Sequence, residues 1–153
     1  GVMQAGKYLD WHFADTDTST ASRTEIDANG NLTHSQGLKV KGTGGLGYAF
    51  GGSVTQLTSR DTGVTLDAPS GTVTLFSTTV TAGTMNKFTL TNSCIQVTDV
   101  VVVGVRASNS GTFNVFVNRT TAGVCDIVVQ NLVTVATAQA VHINFAVIKG
   151  ANA

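Results

Sequence analysis

"DVVVVGVRASNSGTFNVFVNRTTAGVCDIVVQNL", residues 99–132, is the stretch that decides the fold of this chain. It contains three runs of β-branched and aromatic residues, separated by "SNSG" and "TTAG", which supply Asn and Gly where the backbone must reverse. In the middle run, Phe113, Val115 and Val117 alternate with mostly polar residues, so one face is apolar and the other carries a single aromatic, Phe116. The pattern predicts three consecutive short strands.

Runs of the same kind recur from residue 53 onward, separated by short segments rich in Gly, Pro and Asn. About eight short strands at intervals of roughly 8 to 12 residues, with no helix between them, are typical of an antiparallel sandwich or jelly roll. A parallel sheet would need crossovers of about a dozen residues or more. We therefore predict an all-β protein, an antiparallel β-sandwich of jelly-roll-like form, with strands at 53–59, 63–68, 71–77, 87–92, 99–108, 111–118, 124–132 and 140–150.

Two of these strands do not alternate. The four valines at 100–103 and the residues "FAVI" at 145–148 put apolar side chains on both faces. Each sheet of a two-sheet sandwich has only one core face, and one chain of 153 residues is too small to supply a third layer. We therefore expect identical neighbours to cover the second face, in an obligate homo-oligomer.

The charge balance limits the classes of partner. The chain has nine basic and nine acidic side chains, and only 12% of its residues are charged. This argues against a nucleic-acid partner, since binding one requires a basic surface that displaces counterions from phosphates. No apolar run reaches the roughly 18 to 20 residues of a membrane span, and no basic stretch precedes an apolar core at the N-terminus. We expect no membrane insertion and no signal peptide.

The segment "GTGGLGYAFGG", residues 42–52, contains six glycines. Gly42, Gly44 and Gly47 have the spacing of a dinucleotide-binding turn, but such a turn must lead into a helix. Further glycines and β-branched residues follow instead, and they disfavour a helix. We therefore interpret 42–52 as a flexible linker.

The linker divides the chain into a short β stem, residues 1–41, and a C-terminal β-sandwich domain, residues 53–153. Within the stem, Asn29-Gly30 in "IDANGNL" predicts a hairpin. Because the sequence has no initiating methionine and the stem begins abruptly, we expect a C-terminal fragment of a longer protein.

No pattern points to catalysis or to a metal. A glycosidase needs two carboxylates facing each other across a bond, and the acidic residues here fall mostly in turns or at strand ends. There is no Ser-His-Asp order and no G-x-S-x-G elbow, and "DTDTST" at 15–20 lacks the glycine and the bidentate glutamate of an EF-hand. The absence of C-x-x-C favours free, buried thiols over a disulfide for Cys94 and Cys125. We expect no enzyme, no cofactor and no metal.

Two regions carry a resemblance to a known family. "GKYLDWHFADTDTSTASRTEIDANGNLT", residues 6–33, resembles the repeat in shafts of tailed-bacteriophage fibres. "GGSVTQLTSRDTGVTLDAPSGTVTL", residues 51–75, followed by "INFAVIKG" at 143–150, resembles the C-terminal domain of tail-fibre and related virion proteins. The resemblance implies a homotrimer of β-sandwiches on an intertwined β stem, at the distal end of a fibre that adsorbs to a host surface.

Two functions then remain open. The first is a non-enzymatic tail-fibre adhesin of the virion, assembled in the bacterial cytoplasm. Its loops at one end would bind a surface glycan such as lipopolysaccharide, or an outer-membrane protein. The second is a structural virion part, a head fibre or capsid decoration, that contacts only other phage proteins. For the adhesin, "RASNSGT" and "NRTTAG" offer hydrogen-bond donors, although such residues are also ordinary in turns. The candidate receptor-binding residues are Arg106, Asn109, Ser110, Asn118 and Arg119.

Overall fold

The computed structural model describes residues 47–108, 111–133 and 138–150, together with the backbone of three short strands at 8–10, 23–26 and 32–34. The chain divides into two compact units, residues 1–46 and 47–153. Every regular element in the described parts of both units is a β-strand. The prediction of an all-β protein is therefore confirmed for these residues.

The first unit contains a three-stranded antiparallel sheet in the order β1-β2-β3. Ile26 at the end of β2 pairs with Leu32 at the start of β3, so the chain reverses between them, and the predicted hairpin is confirmed. The strands are β1 (Tyr8–Asp10), β2 (Arg23–Ile26) and β3 (Leu32–His34).

The described part of the second unit contains eight strands, and each lies within or overlaps one of the predicted strands. The boundaries agree to within a few residues because Gly, Pro and Asn end the strands where the backbone turns. The strands are β4 (Ser53–Thr55), β5 (Val64–Thr65), β6 (Ser70–Thr74), β7 (Met85–Thr91), β8 (Val100–Ser108), β9 (Phe113–Thr121), β10 (Val124–Asn131) and β11 (Val141–Ile148).

These strands form two sheets of four. Sheet I has the order β4-β6-β11-β8, and sheet II has the order β5-β7-β10-β9. One core cluster contains side chains from both sheets, among them Val73 and Ile143 from sheet I and Phe88 and Ile127 from sheet II. The arrangement is compatible with a β-sandwich.

The expectation of a purely antiparallel sandwich is wrong, because both sheets are mixed. β4 runs parallel to β6, and β5 runs parallel to β7. The chain passes from β4 in sheet I to β5 in sheet II, then back to β6 and across again to β7. The long connection that each parallel pair requires therefore passes through a strand of the opposite sheet, and no helix is needed.

Alternation along the strands places the core between the sheets. On β11, Val141, Ile143, Phe145 and Val147 are buried, and the residues between them point to the outer face of sheet I. On β9, the predicted inward residues pack against the same core, while Phe116 is partly exposed on the outer face of sheet II.

The outer face of sheet I has an apolar end. Val100 and Val102 of β8 and Ile148 of β11 are 59%, 49% and 52% exposed. Val100 pairs with Ile148, and Val102 pairs with Ala146, so the four side chains are neighbours. We call these four residues the apolar strip.

Candidate functional site

The described members of the predicted site do not form one cluster. Arg106 lies on β8, three residues before Asn109. Asn109 and Ser110 fall outside the described residues. Asn118 and Arg119 lie near the far end of β9. Arg106 therefore belongs to a strand of sheet I, whereas Asn118 and Arg119 belong to a strand of sheet II. The expected loop cluster at one end is therefore not formed by Arg106, Asn118 and Arg119.

Arg119 has a structural partner. Its Nε lies 3.0 Å from Oδ2 of Asp126, which it faces across the β9–β10 pair. Oδ1 of the same carboxylate accepts a hydrogen bond from the Thr89 hydroxyl on β7 at 2.8 Å. The hydrogen bonds from Thr89 and Arg119 lower the pKa of Asp126. Asp126 of β10 therefore ties together three strands of sheet II, with Arg119 as its partner on β9.

Arg106 is placed differently, beside a groove of about 510 Å³ on the outer face of sheet I. It lies at the shift of register in the β8–β11 pair, where one extra residue of β8 is accommodated in a β-bulge. Such bulges occur often at sheet edges, and β8 is an edge strand of sheet I. The groove is lined by Tyr48, Phe50, Ser70, Gly71, Thr72, Arg106, Asn144 and Phe145.

The aromatic side of the groove comes from the segment before β4. Ser70 holds this segment against β6, because its hydroxyl donates a hydrogen bond to the carbonyl oxygen of Ala49 at 2.8 Å. Gly51 allows the close approach, since a Cβ there would overlap the Ser70 carbonyl oxygen. Tyr48 and Phe50, on either side of Ala49, are left 49% and 72% exposed at the groove.

The floor of the groove is polar and follows the register of the sheet. Thr72 of β6 pairs with Asn144 of β11, which pairs on its other side with Gly104 of β8. The Thr72 hydroxyl donates to Oδ1 of Asn144 at 2.8 Å, so the Asn144 amide nitrogen keeps its two donors for another acceptor.

Sequence reasoning identified one of these residues, Arg106, and missed the others. Tyr48 and Phe50 lie within the segment interpreted as a linker, and two aromatics among six glycines were a signal that could have been used. Thr72 and Asn144 meet only through the pairing of strands that are far apart in sequence, for which no local signal exists.

A second depression, of about 430 Å³, contains Arg60. This side chain is 3% exposed, and its guanidinium donates to the carbonyl oxygens of Phe76 at 3.2 Å and of Gln139 at 2.9 Å. It also lies 5.3 Å from the centre of the Phe113 ring. Burial lowers the pKa of Arg60. Because its donors are engaged by backbone carbonyls, Arg60 joins loops of the sandwich.

The four carboxylates in the described part of the second unit all accept structural hydrogen bonds. Asp61 accepts from the backbone N–H of Lys87, and Asp67 accepts from that of Ser93. Asp99 and Asp126 are paired with Lys149 and Arg119. The hydrogen bonds lower the pKa values of Asp67, Asp99 and Asp126, whereas the acid of a glycosidase needs a raised pKa.

The remaining reactive side chains of the described sandwich are two cysteine thiols and one histidine. Cys94 and Cys125 are free thiols, and burial raises the pKa of Cys125. Nδ1 of His142 lies 3.0 Å from the Thr74 hydroxyl on the neighbouring strand. The described residues contain no group of three or more His, Cys, Asp or Glu side chains that could hold a metal ion, and the "DTDTST" segment lies outside them.

No helix in the described parts of the chain combines the length and the apolar character that a bilayer crossing requires. Comparison with families of known proteins, with curated proteins and with solved structures finds no match to this chain.

Proposed function

We propose that this chain is the distal, receptor-binding part of a tail fibre of a tailed bacteriophage. It acts as a homotrimer with a jelly-roll-like fold in the virion. It binds a host surface glycan such as lipopolysaccharide, or an outer-membrane protein, without catalysis. The rest of the fibre is its other partner.

One observation carries the proposal: an open groove on a β-sheet surface combines two exposed aromatic side chains with Arg106, which has no carboxylate partner among the described residues. Exposed aromatic and charged side chains beside a rigid sheet are typical of a recognition surface. The carboxylates of the described sandwich are engaged in structural bonds, which favours binding over hydrolysis.

The apolar strip supports the homotrimer. Single exposed Val or Ile side chains are normal, but a contiguous group marks an interaction surface. Val100, Val102, Ala146 and Ile148 are neighbours on two adjacent strands, and β8 is also the edge of its sheet. A second and a third copy that cover this strip would remove the apolar surface and the adjoining end of the unpaired β8 edge from water.

Binding to cells tests the proposal. The purified protein, labelled with a fluorophore, is mixed with a panel of Gram-negative strains and measured by flow cytometry, with added lipopolysaccharide as competitor. Binding to at least one strain that lipopolysaccharide reduces is the expected result. Attachment to phage capsids, with no binding to any strain, would overturn the adhesin and favour a head fibre or capsid decoration.

A further inference from the structure

The outer face of sheet I has two chemically different ends. Outward residues of β11 change from Ile148 and Ala146, in the apolar strip, to Asn144, on the groove floor. Along β11, Ala146 at the near end of the strip is two residues, about 7 Å, from Asn144, and Ile148 at the far end is four residues, about 13 Å, from it. A neighbouring copy centred on Val100 and Ile148 can cover the apolar end and leave the groove open.

We propose that the groove formed by Tyr48, Phe50, Thr72, Arg106 and Asn144 binds an acidic saccharide, with the sugar ring against the aromatic side chains and its carboxylate at Arg106. The proposal deepens the adhesin function and rests on it for its biological meaning.

The aromatic pair supplies the contact to the ring. One face of many pyranose sugars presents C–H groups, which carry a slight positive charge and lose contact with water when they stack on an aromatic ring, whose face is negative. Phe50 is 72% exposed, although it follows a segment that Ser70 fixes in place. An exposed aromatic ring next to a backbone carbonyl that is hydrogen-bonded to β6 offers a surface for such a stack.

Arg106 supplies the charge. The other two arginines of the second unit are engaged, Arg60 with backbone carbonyls and Arg119 with Asp126. Arg106 makes no hydrogen bond and no ion pair among the described residues. A free guanidinium binds a carboxylate through two parallel hydrogen bonds, which are stronger than bonds between neutral groups. This charge complementarity selects an acidic sugar over a neutral one.

The floor of the groove supplies the remaining donors. The amide nitrogen of Asn144 has two hydrogens without a partner among the described residues, and it lies beside the Thr72 hydroxyl. Sugar hydroxyls accept such hydrogen bonds. Gly104, the cross-strand neighbour of Asn144, has no side chain, and an added Cβ would meet nothing within 4 Å. The floor is therefore open on the side of β8, where a chain of sugars can continue.

The test uses two acidic probes, a tetragalacturonate and a hyaluronan tetrasaccharide, and measures their binding to the full chain by isothermal titration calorimetry. The methyl ester of the tetragalacturonate is the matched neutral ligand, because it keeps the sugar rings and lacks the charges. The variants are Arg106→Gln and Phe50→Ala. Lys87→Gln is the control, since it removes one positive charge from an exposed side chain of sheet II, outside the groove.

We expect at least one acidic probe to bind, and its methyl ester to bind about tenfold more weakly or worse. Arg106→Gln should weaken the acidic probe by a similar factor and leave the ester unchanged, whereas Phe50→Ala should weaken both. Lys87→Gln should bind like the unmodified protein. The proposal is overturned if neither acidic probe binds, or if Arg106→Gln and Lys87→Gln bind the acidic probe equally.

The same variants separate this proposal from the adhesin function. If the protein adsorbs to cells and Arg106→Gln and Phe50→Ala adsorb equally well, the groove is not the receptor site, although the adhesin stands. If an acidic probe binds in the groove with the expected pattern and no strain is bound, the groove assignment stands and the adhesin fails.

Discussion

Arg60 should be the arginine on which the stability of the sandwich depends. Its guanidinium is buried and donates to the carbonyl oxygens of Phe76 and Gln139, with a longer contact to that of Thr78 at 3.4 Å. Arg60→Ala removes these bonds to the carbonyl oxygens. Hydrogen bonds from a charged donor contribute about 1.5 to 3 kcal/mol each, and the contact with the Phe113 ring adds roughly 0.5 to 2 kcal/mol.

Because these contributions overlap, we expect Arg60→Ala to lower the free energy of unfolding by about 3 to 5 kcal/mol, a large part of the roughly 5 to 15 kcal/mol of a typical domain. The assay is urea unfolding followed by fluorescence, at one protein concentration, since association also changes apparent stability. Arg106→Ala is the matched control and should change the free energy of unfolding by less than about 0.5 kcal/mol, because this side chain has no partner among the residues that the structure describes. Equal unfolding midpoints for the two variants would refute the reasoning.

Three further predictions concern single residues. Hydrogen bonds from Lys149 and from backbone N–H groups lower the pKa of Asp99 below 3.8. The ionised carboxylate therefore contributes to stability above about pH 4, and this contribution is lost as the pH falls through the lowered pKa. Asp99→Asn should flatten the acid-unfolding curve in this range, and an unchanged curve would contradict the prediction. Val102→Glu should leave a folded chain, by circular dichroism, that no longer associates; an unchanged mass by light scattering would count against the strip as an interface. Gly51→Ala should lower the free energy of unfolding by about 1 to 3 kcal/mol, because the added Cβ would overlap a carbonyl oxygen. Gly104→Ala is the control, since its added Cβ meets open space and should have little effect. If urea unfolding shows equal losses of free energy for the two variants, crowding at Gly51 is not the cause.

The strands could be predicted from the sequence because their signals are local. An alternation of two residues places Phe113, Val115 and Val117 on the core face, and Gly, Pro and Asn mark the turns. The parallel pairs could not be predicted in this way. Whether β4 pairs with β5 or with β6 depends on which sheet each strand joins, and that is decided by burial across the whole sandwich.

The candidate site also contains features that could be predicted from the sequence and features that could not. Arg106 and Arg119 are alike as residue types in exposed positions, yet Arg106 has no ion pair with a described residue, whereas Arg119 has one. Its pairing was within reach of sequence reasoning, because counting outward from the two-residue turn at Ala122-Gly123 places Arg119 opposite Asp126. The groove beside Arg106 could not be predicted from the sequence, because Tyr48 reaches it only through the close contact of two chain segments at Gly51.

The mass of the protein in solution tests the central claim most directly, which is that sister copies cover the apolar strip. We predict that sedimentation equilibrium at micromolar concentration gives three times the chain mass of 15.8 kDa, about 47 kDa, and that the trimer persists on dilution. A folded species of 15.8 kDa at the same concentration would contradict the claim.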